Sequence, residues 1–223
     1  MSNRAFTYVV EHMEDDEPST STSSLPDWVK LEYSHMLELA GVGSAVLFTN
    51  VSAASIAALQ TALGSSAGKD GRSELGTHSE GVLRKMEEHS VPLDKVCLLD
   101  PKAELEISPE DGDGRFEWFL FGGILGDDPP RDRTSELRKL GFPSRNLGKV
   151  QMTTDTALGV TKIVVQDQIP LKDVRFVDFP TIRFNAKESV EMPFRYIVRD
   201  DKPLLPPGMK EHLKKDLDRG FDF

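Results

Sequence analysis

The chain has 223 residues, 38% of them hydrophobic, and its 27 Lys and Arg against 37 Asp and Glu leave a formal net charge of -10. That length buries a real core as one domain with or without an extension, while the acid excess argues against a broad phosphate-binding face and favours a basic protein partner. A single cysteine excludes an internal disulfide, and no run of about 18 apolar residues offers a membrane span.

The opening MSNRAFTYVVEHMEDD is neither a signal peptide nor an Arg-rich transit peptide, which fits a cytoplasmic protein. Phe6 to His12 reads as the first strand. A polar loop follows, with the serine-rich run Ser19 to Ser24, before Pro26 opens a helix. That helix is predicted over 27–40, because Val29, Tyr33, Met36 and Ala40 recur at helical spacing and Gly41 stops them. Ala45 to Thr49 reads as a strand and Ala53 to Leu63 as a helix. The stretch 64–76, rich in Gly, Ser and charge, buries too little apolar surface to order itself and is expected to be mobile.

Further on, a helix over 79–89 and a strand over 95–99 are expected, with Cys97 packed as a core thiol. The apolar run Trp118 to Phe121 reads as a strand buried on both faces, ending at Gly122 and Gly123. A helix over 134–140, a short strand over 145–147 and a helix over 154–166 complete an alternating βα pattern. This is an α/β fold: a mostly parallel sheet with helices on both faces, as a doubly wound protein would build. Beyond Pro170 the pattern breaks into extended pieces over 175–179, 182–184 and 194–198, then a charged helix. Residues 1–168 are therefore read as the main domain and 169–223 as an extension packed on it. Phe194, Tyr196, Ile197, Leu204 and Leu205 are apolar enough for that docking.

Two loops carry the chemistry, FGGILGDDPPRDRT over 121–134 and NLGKVQMTTDTALGV over 146–160. Glycines at strand ends bare the backbone to a ligand. Neither GxxxxGK[ST] nor GxGxxG is present, and Asp127, Asp128 and Asp132 would repel a polyphosphate in the absence of a metal. No Cys/His spacing indicates zinc, and no GxSxG indicates a nucleophile elbow. His35, on the first helix, reads as a satisfied, partly buried residue rather than a base. A hydroxyl of Thr153 or Thr154 is expected to cap the helix that follows, with Asp155 favoured in its first turn by the helix dipole.

Taken together with VCLLDP over 96–101, LEYSH over 31–35, EHME over 11–14 and EMPFRY over 191–196, these loops resemble the SPOUT class of S-adenosylmethionine-dependent methyltransferases. Within it the chain is most similar to the fungal SPOUT protein arginine methyltransferases that modify a small-subunit ribosomal protein. The resemblance implies a deep trefoil knot and a cofactor, S-adenosyl-L-methionine, cradled by Leu99 to Pro101, Phe121 to Gly126 and Leu147 to Thr154. Leu99, Pro101, Phe121, Gly122, Gly123, Gly126, Leu147, Gly148, Val150, Gln151, Met152 and Thr154 are the cofactor-binding candidates. No metal is expected. It further implies a monomer whose extension covers the surface through which other SPOUT enzymes pair.

Arginine stays protonated at accessible pH, so carboxylates are needed to hold its fork and accept a proton. Asp127 and Glu191 are the first candidates, followed by Asp155 and Glu11. The partner expected is a basic ribosomal protein of the small subunit, with no membrane and no strong nucleic-acid binding. The alternatives are an RNA methyltransferase of the same class and a ribosome-associated binding module without turnover.

Overall fold

The structure is a computed structural model that describes residues 5–12, 25–123 and 134–219. In chain order its elements are β1 (Thr7–His12), α1 (Asp27–Ala40), β2 (Ala45–Thr49), α2 (Ala53–Leu63), β3 (Glu74–Thr77), α3 (Val82–His89), β4 (Val96–Leu99) and β5 (Trp118–Gly123). There follow α4 (Ser135–Lys139), β6 (Ser144–Arg145), α5 (Thr154–Val165), β7 (Phe176–Asp178), β8 (Thr181–Arg183), β9 (Ser189–Glu191), β10 (Arg195–Arg199), β11 (Lys202–Pro203) and α6 (Met209–Arg219).

Six strands form one sheet in the order β3-β2-β1-β5-β4-β6, and each of its pairings is parallel. Side chains alternate across it with a period of two. Tyr8, Val10, Val46, Phe48, Cys97, Leu99, Phe119 and Phe121 enter one core with Val29, Met36, Leu59 and Leu158 of α1, α2 and α5. Val9, Leu47, Val96, Leu98, Trp118 and Leu120 face the other way, onto Val82 and Met86 of α3 and Leu137 of α4. Strands covered on both faces must be apolar throughout, which is why these read as continuous runs. Each such side chain contributes about 1.5–3 kcal/mol by leaving water. The Cys97 thiol is sealed in this core and burial pushes its pKa up to about 12.

The stretch 64–76 departs from the expectation of mobility. It closes on itself through polar anchors rather than apolar burial: the Arg72 guanidinium donates to Ser34 Oγ and Ser66 Oγ at 3.1 Å and pairs with Glu38 of α1. The Ser73 N–H donates to the Leu37 carbonyl at 3.0 Å, and the chain then adds β3 to the sheet edge beside β2. Composition misses this because a parallel edge strand is held by backbone groups of any sequence.

After α5 the chain builds two small antiparallel pieces, β11-β10-β7 and β8-β9. The first is tied to the main core by Ile197, while Tyr196, Ile182 and Met192 form a third cluster with Phe194, Leu205 and Leu213 packed against it. Among the described residues no helix is long and apolar enough to cross a membrane.

One buried ion pair fixes the approach to β6. Arg145 Nε and Nη2 donate to the Asp111 carboxylate at 2.9 to 3.1 Å, and the guanidinium also lies 5.4 Å from the Phe116 ring centre. Asp111 is wholly buried and closes a capping box with Ser108, so its removal strands a buried cation. Asp111→Ala is expected to lower unfolding stability by about 3–5 kcal/mol, measured by urea denaturation. A loss below about 1 kcal/mol would show the pair to be dispensable.

Candidate active site

The C-terminal ends of β4 and β5 and the loop between β6 and α5 open onto one cleft of about 690 Å³, within the range of small-molecule sites. Asn146 joins two of these loops: its Nδ2 donates to the Ala103 carbonyl at 2.9 Å, its N–H to the Leu105 carbonyl at 2.8 Å, and its Oδ1 accepts from the Gly148 N–H at 3.0 Å. Gly148 itself sits at φ +93, a conformation that side-chain-bearing residues resist, and so presents bare backbone to the cleft. The loop after β4 is stiffened at Asp100, whose carboxylate receives Arg138 Nε at 2.5 Å, Arg138 Nη2 at 2.7 Å and the Lys102 N–H at 3.0 Å. The opposite wall comes from Trp28 and Glu32 of α1, from Phe194 and Tyr196 beside and in β10, and from Met209 and His212 of α6.

Leu99, Pro101, Phe121, Gly122, Leu147, Gly148, Val150, Gln151, Met152 and Thr154 all line this cleft. Gly123 is not among the lining residues. It pairs with His12 in the ladder, and a Cβ there would stand 3.0 Å from the Glu11 carbonyl oxygen, so close strand packing accounts for it. Gly126 and Asp127 lie outside the described residues. The expected hydroxyl cap on α5 is corrected: Thr153 is the N-cap, but its hydroxyl meets the Thr156 hydroxyl at 2.8 Å and makes no capping bond to the backbone.

The other carboxylate candidates do not line the cleft. Glu11 is buried, accepting from the Val82 N–H at 2.9 Å at the start of α3 and from the Thr49 hydroxyl. Burial raises its pKa against those two hydrogen bonds. Glu191 is exposed on β9, next to the lining residue Met192. Asp155, 0% exposed in the first turn of α5, accepts at Oδ2 from Nδ1–H of His35 at 2.7 Å, while its Oδ1 has no hydrogen-bond partner among the described residues. His35 is thus satisfied as expected, but fully rather than partly buried.

Glu32 was missed. It lines the cleft one turn after Trp28, is only partly accessible, and makes no hydrogen bond or ion pair among the described residues. Burial, reinforced by the Asp155 charge, raises its pKa well above the usual carboxylate value. Burial together with Asp155 and Glu32 likewise pushes the Tyr196 phenol up. The available signal was a second polar stripe on α1, Glu32 and His35, running beside the buried positions Val29, Tyr33 and Met36.

A family model for SFM1-like protein arginine N-methyltransferases matches residues 7–220. The chain belongs to the SFM1-like protein arginine N-methyltransferase family. Protein arginine N-methyltransferase SFM1 of Saccharomyces cerevisiae is 39% identical over 221 residues, covering 96% of this chain and 97% of its own. A crystal structure of yeast SFM1 complexed with SAM superposes at a TM-score of 0.77 with 36% identity, over 96% of this chain and 92% of that one. A dual-specific Trm10 from Thermococcus kodakaraensis shares the fold at a TM-score of 0.54 with 18% identity, over 76% of this chain and 96% of its own. SFM1-like membership makes the chain a protein arginine methyltransferase, and its mostly parallel sheet is similar in fold to those of SPOUT methyltransferases.

A carboxyl whose folded pKa lies above its unfolded value binds more protons when folded, so stability is lost as pH rises from the unfolded carboxylate range, about 4.3, through the folded pKa. Glu32 is in that position. Glu32→Gln is therefore expected to match the wild type near pH 4 and to exceed it by about 1–3 kcal/mol at pH 8, measured by urea unfolding across that range. Equal stability at both ends would remove the desolvated-charge account.

Proposed function

We propose that this SFM1-like chain transfers the methyl group of S-adenosylmethionine to an arginine of a basic ribosomal protein of the small subunit, acting as a cytoplasmic monomer. One observation carries the reading: a single cleft combines backbone-rich loops on one side with an acidic, aromatic wall on the other. Related yeast SFM1 structures are described as complexes with SAM, SAH and MTA, which supports the same cofactor here. The cleft fits that group in size, in the bare backbone at Gly148 and in the apolar sides of Leu99, Leu147 and Met152.

When bound, S-adenosylmethionine supplies a methyl group already activated on a sulfonium. The chain's task is then positioning: Leu99, Pro101, Gly122, Leu147, Gly148 and Met152 hold the adenosine portion, and the helical wall orients the incoming guanidinium. Asp127 and Glu191 remain carboxylates proposed to meet the substrate peptide. A deep trefoil knot belongs to the same reading, on the strength of the SPOUT likeness. The monomer is supported by the extension's own apolar residues, with Ile197 in the main core and Phe194 and Leu205 in the third cluster. The net charge of -10 suits a basic protein better than bare RNA.

Incubated with radiolabelled S-adenosylmethionine and the separated proteins and RNA of small ribosomal subunits, the purified chain is expected to label a protein. Acid hydrolysis of that protein should release methylated arginine. Label confined to RNA would reject this reading in favour of an RNA methyltransferase, and no label at all would favour a binding module.

Gly148→Ala places a Cβ where φ is +93. Holding a non-glycine residue there costs about 1–2 kcal/mol, so calorimetry should find S-adenosylmethionine bound roughly tenfold more weakly. Unchanged affinity would show that the loop tolerates another path.

A further inference from the structure

Lys102 and Lys149 belong to the loops after β4 and β6, whereas Glu32 and Asp216 belong to the helices of the facing wall. Of the described carboxylates that line the cleft, Asp100 is held bidentately by Arg138, and Asp216 Oδ2 stands 3.1 Å from His212 Nε2. Glu32 alone among them has neither a hydrogen bond nor an ion pair among the described residues. His35, three residues along α1 from Glu32, holds the fully buried Asp155 at Oδ2, while Asp155 Oδ1 has no hydrogen-bond partner and neither carboxyl group is paired with a Lys or Arg among the described residues.

Such an arrangement is unfavourable by itself, because a desolvated carboxylate without a donor forfeits its hydration. A planar cation repairs it. A guanidinium brings five donors in a fixed fork, matched to a carboxylate edge, and a flat face that stacks on an aromatic ring. Trp28, one turn before Glu32 on α1, and Phe194 beside β10 supply such rings in the same cleft.

We propose that Glu32, backed by the buried Asp155, is the carboxylate that receives the target guanidinium and takes up the proton released on methyl transfer. The proposal rests on the arginine methyltransferase reading and names the group that carries its substrate step. An Nη of the arginine forms the new N–C bond to the methyl carbon while the S–C bond breaks, its electron pair remaining on the sulfur of S-adenosylhomocysteine. The attacking nitrogen sheds one proton, which passes to the Glu32 carboxylate and then to solvent through the open side of the cleft. The product keeps its guanidinium charge, so charge and atoms balance. Asp155 does not touch the substrate. It is a positioning residue: held by His35, it acts on Glu32 through space and makes Glu32 the more willing proton acceptor. The other titratable groups lining the cleft are Tyr196 from β10, His212 and Asp216 from α6, and Asp100, Lys102 and Lys149 from the loops.

The test compares full-length wild type, Glu32→Gln and Glu32→Asp. Calorimetry measures S-adenosylmethionine binding, and steady-state methylation uses the total protein of small ribosomal subunits as probe, from about pH 5 to 9. Glu32→Gln is expected to bind S-adenosylmethionine within about twofold of wild type while kcat/KM falls on the order of 100-fold, the usual scale for loss of a proton acceptor. Glu32→Asp should restore part of the rate and shift the acid limb of the pH profile.

Retention of kcat/KM within about threefold in Glu32→Gln would overturn the proposal. Roughly tenfold weaker S-adenosylmethionine binding by Glu32→Gln would overturn it too, by assigning the carboxylate to the cofactor's own ammonium group. A wild type that methylates no arginine removes the parent reading and this inference together, a result distinct from a failure of the variant alone.

Discussion

The parallel pairing of the central sheet is the constraint on which the rest depends. Parallel strands must be crossed by covering elements, so both faces of β1, β4 and β5 are buried and the strand ends become the places where backbone groups escape the ladder. Because β4, β5 and β6 all point the same way, the loops that follow β4 and β6 meet the last residues of β5 at one edge and form a cleft there. Asn146 and the Asp111–Arg145 pair hold two of these loops in register. The site is thus a consequence of strand direction first and of particular side chains second.

On that scaffold the α1 wall places charge where folding alone would not. Asp155 benefits from the α5 N-terminus and from His35, yet one of its oxygens has no donor, and Glu32 has none either among the described residues. An apolar pair would pack there at lower cost. Conflicts of this kind between local stability and local chemistry gather at functional sites, and here the conflict lies on the wall opposite the backbone-rich loops.

Much of this was readable in the chain. α1, β2 and α2 fall on their expected residues because amphipathic spacing and the glycine after α1 agree on their limits. The loop 147–154 was identifiable from glycine and threonine beside an apolar strand. Less accessible were features decided by distant neighbours. β3 carries no strand-forming run and exists because β2 offers an edge; Glu11 looks like a free acid until α3 is laid over it; Glu32 looks like a solvated helix residue until Tyr196 and α6 close the other side. In each case the deciding partner lies far away in sequence, where periodicity carries no information.

The link between β10 and the loop before α5 has a dynamic consequence. The Arg195 N–H donates to the Gln151 carbonyl at 2.8 Å, while its guanidinium is clamped by Asp178 at 2.6 and 2.9 Å and lies 4.9 Å from the Phe176 ring centre. The loop around Gly148 is therefore held from outside the cleft by β10. Opening of the loop must break this hydrogen bond to β10, which couples it to local fraying of β7 and β10.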